Sequence, residues 1–282
     1  MTSRRLLPIA ILASLFLSLA CPGGAQPTAG PAQVLAKGTP DAPIALPNAK
    51  GSLKFVVLGD FGTAEKREYS LATQMNTFHE AFPFETVVLV GDNLYGALGN
   101  HDAREQRFYK LFNMDGQLYY SLKAPNESVR FFMLDSTYPV PDQLAWLEKE
   151  LQGAKEDWKI AVFHHPIYSS GGRHGSDLQL REKLEPLFIK YNVSVAFTGH
   201  DHFYERIKPQ HGIVYYVVGS GGQLAIGDIG KGSPLTAKGF DTDNAFLAVE
   251  IRGDKMYFNA ISTPGTIVDS GIIERRKPDE PS

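Results

Sequence analysis

The sequence predicts an α/β sandwich, and three patterns predict it. From residue 53 to residue 198, short apolar runs alternate with amphipathic stretches, as strands separated by helices do. Beyond residue 202 the runs continue without helices between them, which implies a meander and a second sheet that is largely antiparallel. Polar segments rich in Gly, Asp and His follow several runs directly, at the strand ends where α/β proteins gather their ligands.

Taken in order, residues 53–58 form a first strand, 65–82 a helix and 86–90 a second strand. A strand pair follows near 118–122 and 129–134. The helix expected over 141–152 starts on Pro141, whose fixed φ suits a first turn, and carries Leu144, Trp146, Leu147 and Leu151 on one face. Strand 158–163, a helix over 176–191 with Leu178, Leu180, Leu184, Leu187 and Phe188, and strand 193–198 complete the alternating part. The later strands are 204–207, 213–218, 246–251, 256–260 and 266–274, and there is no internal repeat.

At 282 residues, 43% hydrophobic and 21% charged, the chain has material for one large catalytic domain. A formal net charge of −3, with no basic run, argues against a nucleic-acid partner. Arg4 and Arg5 precede an apolar stretch from Leu6 to Ala20 and then small residues, so residues 1–25 read as an export signal. That stretch, about fifteen residues, is short of the roughly twenty a membrane span needs, so no stable span is expected after processing.

Ser3-Arg4-Arg5-Leu6-Leu7 partly resembles a twin-arginine signal, and a general secretory signal is the alternative. The expected product is periplasmic or secreted. The sole cysteine, Cys21, lies at the processing boundary, and Ser18-Leu19-Ala20-Cys21 lacks the aliphatic residue of a lipoprotein box, which disfavours a lipid anchor. Residues 26–50, with six prolines between 21 and 50, read as a linker; the domain spans 51–275 and a polar tail 276–282.

The chemistry sits in Gly59-Asp60-Phe61-Gly62, Gly91-Asp92-Asn93-Leu94-Tyr95, Gly99-Asn100-His101-Asp102, His164-His165-Pro166 and Gly199-His200-Asp201-His202. Their carboxylates, amide, imidazoles and phenol make a mixed oxygen and nitrogen donor set without thiolate, suited to iron, zinc or manganese. Six of the eight histidines lie in or near these segments, leaving His79 and His211 elsewhere. Each segment alone is a common turn; together, in one order, they specify a two-metal hydrolase.

These motifs resemble the calcineurin-type metallophosphoesterases and, more narrowly, the purple acid phosphatases of the small tartrate-resistant kind. The similarity extends from about Leu53 to Glu274, through Phe132-Met133-Leu134-Asp135, Arg173-His174-Gly175, Gly219-Ser220-Gly221 and the segment from Ala245 to Glu250. Gly62, where the wider superfamily has a ligand histidine, and Tyr95 after Gly-Asp are the combination that resembles the purple branch.

The resemblance implies a four-layer α/β/β/α sandwich of two mixed sheets. It implies Asp60, Asp92, Tyr95 and His202 around one metal and Asp92, Asn100, His164 and His200 around the other, with Asp92 bridging. The cofactors would be iron(III) plus a divalent iron, zinc or manganese, since a hard trivalent ion holds a phenolate well below its free pKa of about 10. Metal-activated hydroxide would attack a small phosphate monoester in line. His101 and His174 match the non-ligand histidines that hold the phosphoryl group and help protonate the leaving group, the cationic form being favoured at acid pH.

Other polar residues have plainer readings. His165 is expected to pack beside the ligands rather than bind metal, Asp102 and Asp201 to orient histidines or cap turns, Asp135 to steady a loop, and Arg173 to be a solvated loop residue. The Gly-rich run 219–232 has neither the helix nor the Lys-Ser/Thr ending of a phosphate loop and reads as a flexible loop near the crevice.

The chain departs from the pattern between the second and third motifs. Only seven residues, Asn93 to Gly99, separate Asp92 from Asn100, where the family has several tens, including a helix and a strand leading into Gly-Asn-His. Seven residues can span adjacent strand ends at about 3.3–3.6 Å each. The loss of a strand and helix predicts an empty sheet position or closure of its neighbours, and lost support for Asn100 and His101. Three functions follow: an exported acid phosphatase, a metallophosphodiesterase or nucleotidase, or a catalytically impaired metal-binding protein. Oligomeric state is not legible.

Overall fold

The computed structural model describes residues 43–93 and 99–277. Its elements are β1 (Leu53–Leu58), α1 (Lys66–Ala81), β2 (Thr86–Leu89), β3 (Tyr120–Lys123), β4 (Val129–Met133), α2 (Pro141–Gly153), β5 (Trp158–Val162), α3 (Leu178–Lys190), β6 (Val195–Thr198), β7 (Tyr204–Ile207), β8 (Val214–Val218), β9 (Thr236–Phe240), β10 (Ala245–Arg252), β11 (Lys255–Ser262) and β12 (Ile267–Glu274). Two short 3₁₀ turns, Arg104–Phe108 and Lys110–Phe112, stand between β2 and β3.

The strands form two mixed sheets, of order β12-β11-β10-β1-β2 and β3-β4-β5-β6-β8-β7-β9. In the first, β10 runs antiparallel to β1 and β2 runs parallel to it; in the second, β4, β5, β6 and β8 are mutually parallel in sequence. The expected split of the chain into an alternating sheet and a meandering sheet is corrected here. Strands of both halves enter each sheet, because apolar periodicity along the chain reports that a strand exists and not which neighbour it pairs with.

The sheets face each other across the main core. Phe55 meets Phe131 edge-on at 5.4 Å and Phe197 at 6.1 Å, and Tyr216 meets Phe258 at 5.4 Å, so aromatic rings from both sheets interdigitate. Outside the five-stranded sheet lies α1, whose Leu71 is buried and whose Phe78 ring meets Phe246 at 5.7 Å. Outside the seven-stranded sheet lie α2 and α3, burying Leu147, Leu151, Leu180, Leu184 and Phe188 against Phe132, Ala161 and Ala196. The layers are therefore α/β/β/α.

Other differences from expectation are local. The short strand β9 is unpredicted: Thr-Ala-Lys-Gly-Phe is half-exposed throughout, so it carries no apolar signature and is held by pairing with β7. Body contacts begin before Gly51, where the Asn48 and Ala49 amides donate to the buried Glu250 carboxylate at 2.6 and 2.7 Å. Among the described residues β2 pairs only with β1 and stands at the edge of its sheet, with no gap between inner strands. The export signal, Cys21, most of the expected linker, and Leu94 to Leu98 with the candidate ligand Tyr95 lie outside the described residues.

Candidate metal centre

The site assembles at the C-terminal ends of parallel strands from both sheets: Asp60 follows β1, Asp92 follows β2, His164 follows β5 and His200 follows β6. Backbone hydrogen bonds sew these ends together. Gly59 N–H donates to Val218 O at 2.9 Å, joining the two sheets, and Asp60 N–H donates to Gly91 O at 2.9 Å. Asp60, Asp92 and His200 have φ of 55°, 51° and 70°, left-handed conformations that cost non-glycine residues energy and so mark a site held by its surroundings.

The glycine before each of these residues permits close approach. At Gly91, with φ 103°, a Cβ would stand 2.4 Å from His164 Nδ1, and at Gly199 it would stand 2.5 Å from Asp60 Oδ2. Gly91→Ala is therefore expected to cost about 1–3 kcal/mol in backbone strain alone and to push the His164 ring aside, lowering metal content. Thermal unfolding and elemental analysis check this; an unchanged melting point at full metal content would refute it.

The polar atoms converge. His164 Nδ1 lies 3.0 Å from Val90 O, a pure acceptor, so it carries the proton and leaves the Nε2 lone pair facing inward. That Nε2 lies 3.1 Å from Asn100 Oδ1, 3.3 Å from Asp92 Oδ2 and 3.2 Å from His200 Nδ1. In this tautomer the lone pair faces two acceptor oxygens, Asn100 Oδ1 and Asp92 Oδ2, an arrangement suited to a shared cation. With a proton in that role, burial opposes charge on His164, but the carboxylates of Asp60 and Asp92 prevail and raise its pKa to about 9.

On the other side of Asp92, the buried Asp60 Oδ1 has no hydrogen-bond partner, and His202 Nε2 stands 3.5 Å from it. Burial raises the Asp60 pKa, whereas at Asp92 the hydrogen bond and charge of His164 outweigh burial and lower it. Ligand atoms of Asp60, Asp92 and His164 lie within 4.8 Å of one another. Donor set, orphaned carboxylate oxygen and convergent lone pairs all fit metal ions.

Asn100 and His101 are brought to the site, and the expected loss of their support is only partly seen. Asp102 Oδ2 accepts from both Asp92 N and Gly99 N at 2.9 Å, and His101 N donates to Asp92 Oδ1 at 3.2 Å. The carboxylates of Asp102 and Asp92 thus tie the third motif to the second. Asp60, Gly62, Asp92, His101, His202 and Gln223 border a cavity of about 110 Å³.

The His174 ring lies 4.3 Å from the His200 ring, tilted against it, and comes from an exposed loop. The flanking Ser169 and Ser170 hydroxyls donate to the buried carboxylates of Asp201 and Glu205, fixing that loop. Burial lifts the Asp201 pKa to about 6 against the Ser169 hydrogen bond. His165 stacks on His200 at 4.5 Å, and burial with the neighbouring His164 lowers its pKa to about 4. The same influences, burial first, press His200 down to about 2.

Asp135 steadies a loop: its carboxylate accepts from Arg104 at 2.7 Å and from the Thr137 amide at 3.1 Å, while Gln143 of α2 clamps its backbone. Arg173 is exposed. The Gly219–Gly222 part of the Gly-rich run differs from expectation. It is buried and bonded to β1's end through Gly221 N to Gly59 O at 2.9 Å and Gly222 N to Asp60 O at 3.0 Å, its glycines serving close packing. Ser136 was missed; the only signal was its place just after β4, next to Asp135.

Two mixed sheets whose strand ends bring Asp60, Asp92, His164 and His200 together form a candidate metal site of the kind a metal-dependent hydrolase uses. The family model described as calcineurin-like phosphoesterase matches residues 44–204, and the chain belongs to that family. Among its relatives, tartrate-resistant acid phosphatase type 5 of Rattus norvegicus is 26% identical over 239 residues, covering 60% of this chain and 72% of the relative. Purple acid phosphatase 7 of Arabidopsis thaliana is 24% identical over 288 residues, covering 80% and 87%.

Among solved structures, the purple acid phosphatase from yellow lupin (Lupinus luteus) seeds superposes with a TM-score of 0.62 at 19% identity, covering 83% of this chain and 56% of that one. GAP50, the anchor in the inner membrane complex of Plasmodium, gives 0.67 at 20% identity, covering 80% and 90%. At these identities the likeness is one of fold.

Proposed function

We propose that the chain is an exported acid phosphatase that hydrolyses phosphate monoesters at a dinuclear metal centre. The carrying observation is the convergence of the His164 Nε2 lone pair with Asp92, Asn100 and His200 within 3.1–3.3 Å, beside the unpartnered Oδ1 of Asp60. Support for the purple branch comes from Gly62, from Tyr95, and from relatives named for that activity, one of them the Fe(3+)-Zn(2+) purple acid phosphatase 12 of Arabidopsis thaliana, 39% identical over 106 residues.

In this reading Asp60, Asp92, Tyr95 and His202 would hold iron(III), and Asp92, Asn100, His164 and His200 would hold a divalent iron, zinc or manganese. When bound, the pair supplies Lewis-acid charge and an acidified water. The chain's own residues do the rest. Val90 O and Asp102 fix the orientation of His164 and the Asp92 loop, and His101 and His174 receive the phosphoryl group and give a ring N–H proton to the leaving oxygen. Residues 1–25 direct export to the periplasm or medium.

Purified protein should hold two metals, show a tyrosinate-to-iron absorption band, and hydrolyse a chromogenic phosphomonoester at about pH 5. A colourless zinc or manganese protein with turnover would sink the iron assignment. A folded two-metal protein without turnover would instead favour the impaired reading, which the seven-residue segment from Asn93 to Gly99 motivates. Preference for a phosphodiester would favour the phosphodiesterase reading.

A further inference from the structure

We propose that His165 is a substrate-contacting residue: a neutral imidazole, locked by Ser136 with its proton on Nε2, that donates a hydrogen bond to a phosphoryl oxygen. The inference rests on the phosphatase reading and adds to it a residue outside the ligand and proton-donor set.

The lock follows from counting. Ser136 Oγ has three partners: His164 N at 3.2 Å, His165 N at 3.0 Å and His165 Nδ1 at 2.9 Å. The first two are backbone N–H groups, which only donate, and they use both lone pairs of the hydroxyl. Its single proton must therefore go to His165 Nδ1. With Nδ1 accepting, the proton of the neutral ring sits on Nε2.

The adjacent histidine is set the opposite way. His164 Nδ1 donates to Val90 O, which frees its Nε2 lone pair for a cation. His165 has a ring nitrogen within 4.8 Å of ligand nitrogens of His164 and His200, yet its one lone pair is already taken by Ser136. It is thus a poor ligand and a ready donor. Its half-buried ring lies 4.5 Å from the His200 ring, and the His174 ring lies 4.3 Å from the same His200 ring, so His165 stands inside the imidazole cluster of the candidate centre. A phosphoryl group, with its several anionic acceptor oxygens, suits such a donor.

The test compares the full chain with His165→Phe and His165→Gln, measuring metal content and the binding of inorganic phosphate alongside KM and kcat for a chromogenic phosphomonoester. All three should carry the same two metals. His165→Phe should bind phosphate roughly 10–100-fold more weakly, with KM raised, as loss of a hydrogen bond to a charged group implies. His165→Gln, which keeps an N–H near the Nε2 position, should recover most of the affinity.

Ser136→Ala should also weaken phosphate binding, and combined with His165→Phe should cost no more than His165→Phe alone, because the two act as one device. Metal loss in His165→Phe would make the residue a ligand. Unchanged phosphate affinity, or a glutamine variant no better than phenylalanine, would reduce it to packing. Either result overturns the inference while leaving the phosphatase reading intact, whereas a two-metal wild type that binds no phosphate defeats both.

Discussion

Asp92→Ala is expected to strip both metals from the protein and to lower phosphomonoester hydrolysis by ~10⁴-fold or more, the scale at which removal of a shared catalytic component acts. In the proposed centre Asp92 is the one carboxylate shared by both metals. Its Oδ2 stands 3.3 Å from His164 Nε2, its Oδ1 accepts the His101 amide at 3.2 Å, and its own amide is tied to Asp102. Alanine would leave Asp60 and His202 on one side and His164, Asn100 and His200 on the other without a common anion. Metal analysis of a variant shown to be folded by circular dichroism checks this. Two metals at full occupancy would refute the ligand assignment for Asp92.

Much of this site was legible because its residues are punctuated locally. A strand that ends in Gly-Asp or Gly-His announces itself through an apolar run, a glycine and a ligand in consecutive positions, and the structure shows why the glycine is there: a Cβ at Gly91 or Gly199 would strike the neighbouring ligand. Whatever depends on distant pairing was not legible. Nothing in the run from Ala245 to Arg252 says that it pairs antiparallel with β1, so the interleaving of the sheets was missed. Ser136 was missed for a related reason: a serine after a strand is ordinary until the fold brings it against His164 and His165.

The shortened segment shows both limits. Sequence spacing alone indicated that seven residues could bring Asn100 within reach of Asp92, but not what would hold it there. Asp102 does much of that: it reaches back across the turn to Asp92 N and Gly99 N, so the loop is fastened by a carboxylate inside the third motif. β2, left at the sheet edge, needs no inner partner.

Asp269→Ala is expected to be the most damaging single change to stability outside the site, at about 3–5 kcal/mol, the cost of breaking a buried ion pair by removing one partner. Asp269 lies on β12 of the five-stranded sheet and reaches across to β7 of the seven-stranded sheet. It accepts Arg206 Nε at 2.8 Å and Nη2 at 3.1 Å, a bidentate grip, and also the hydroxyl of the buried Tyr204 at 2.8 Å. Alanine would leave the guanidinium and the phenol without their acceptor beside the apolar core between the two sheets, where water cannot fully replace it. At roughly 2–4 °C per kcal/mol for a domain of this size, the melting point should fall by ~6–20 °C. Asp269→Asn keeps the volume and an acceptor for Tyr204 but turns an amide donor toward Arg206, so it should fall between wild type and alanine. A loss below about 1 kcal/mol for the alanine variant in urea unfolding would show that the aromatic core joins the sheets without this pair.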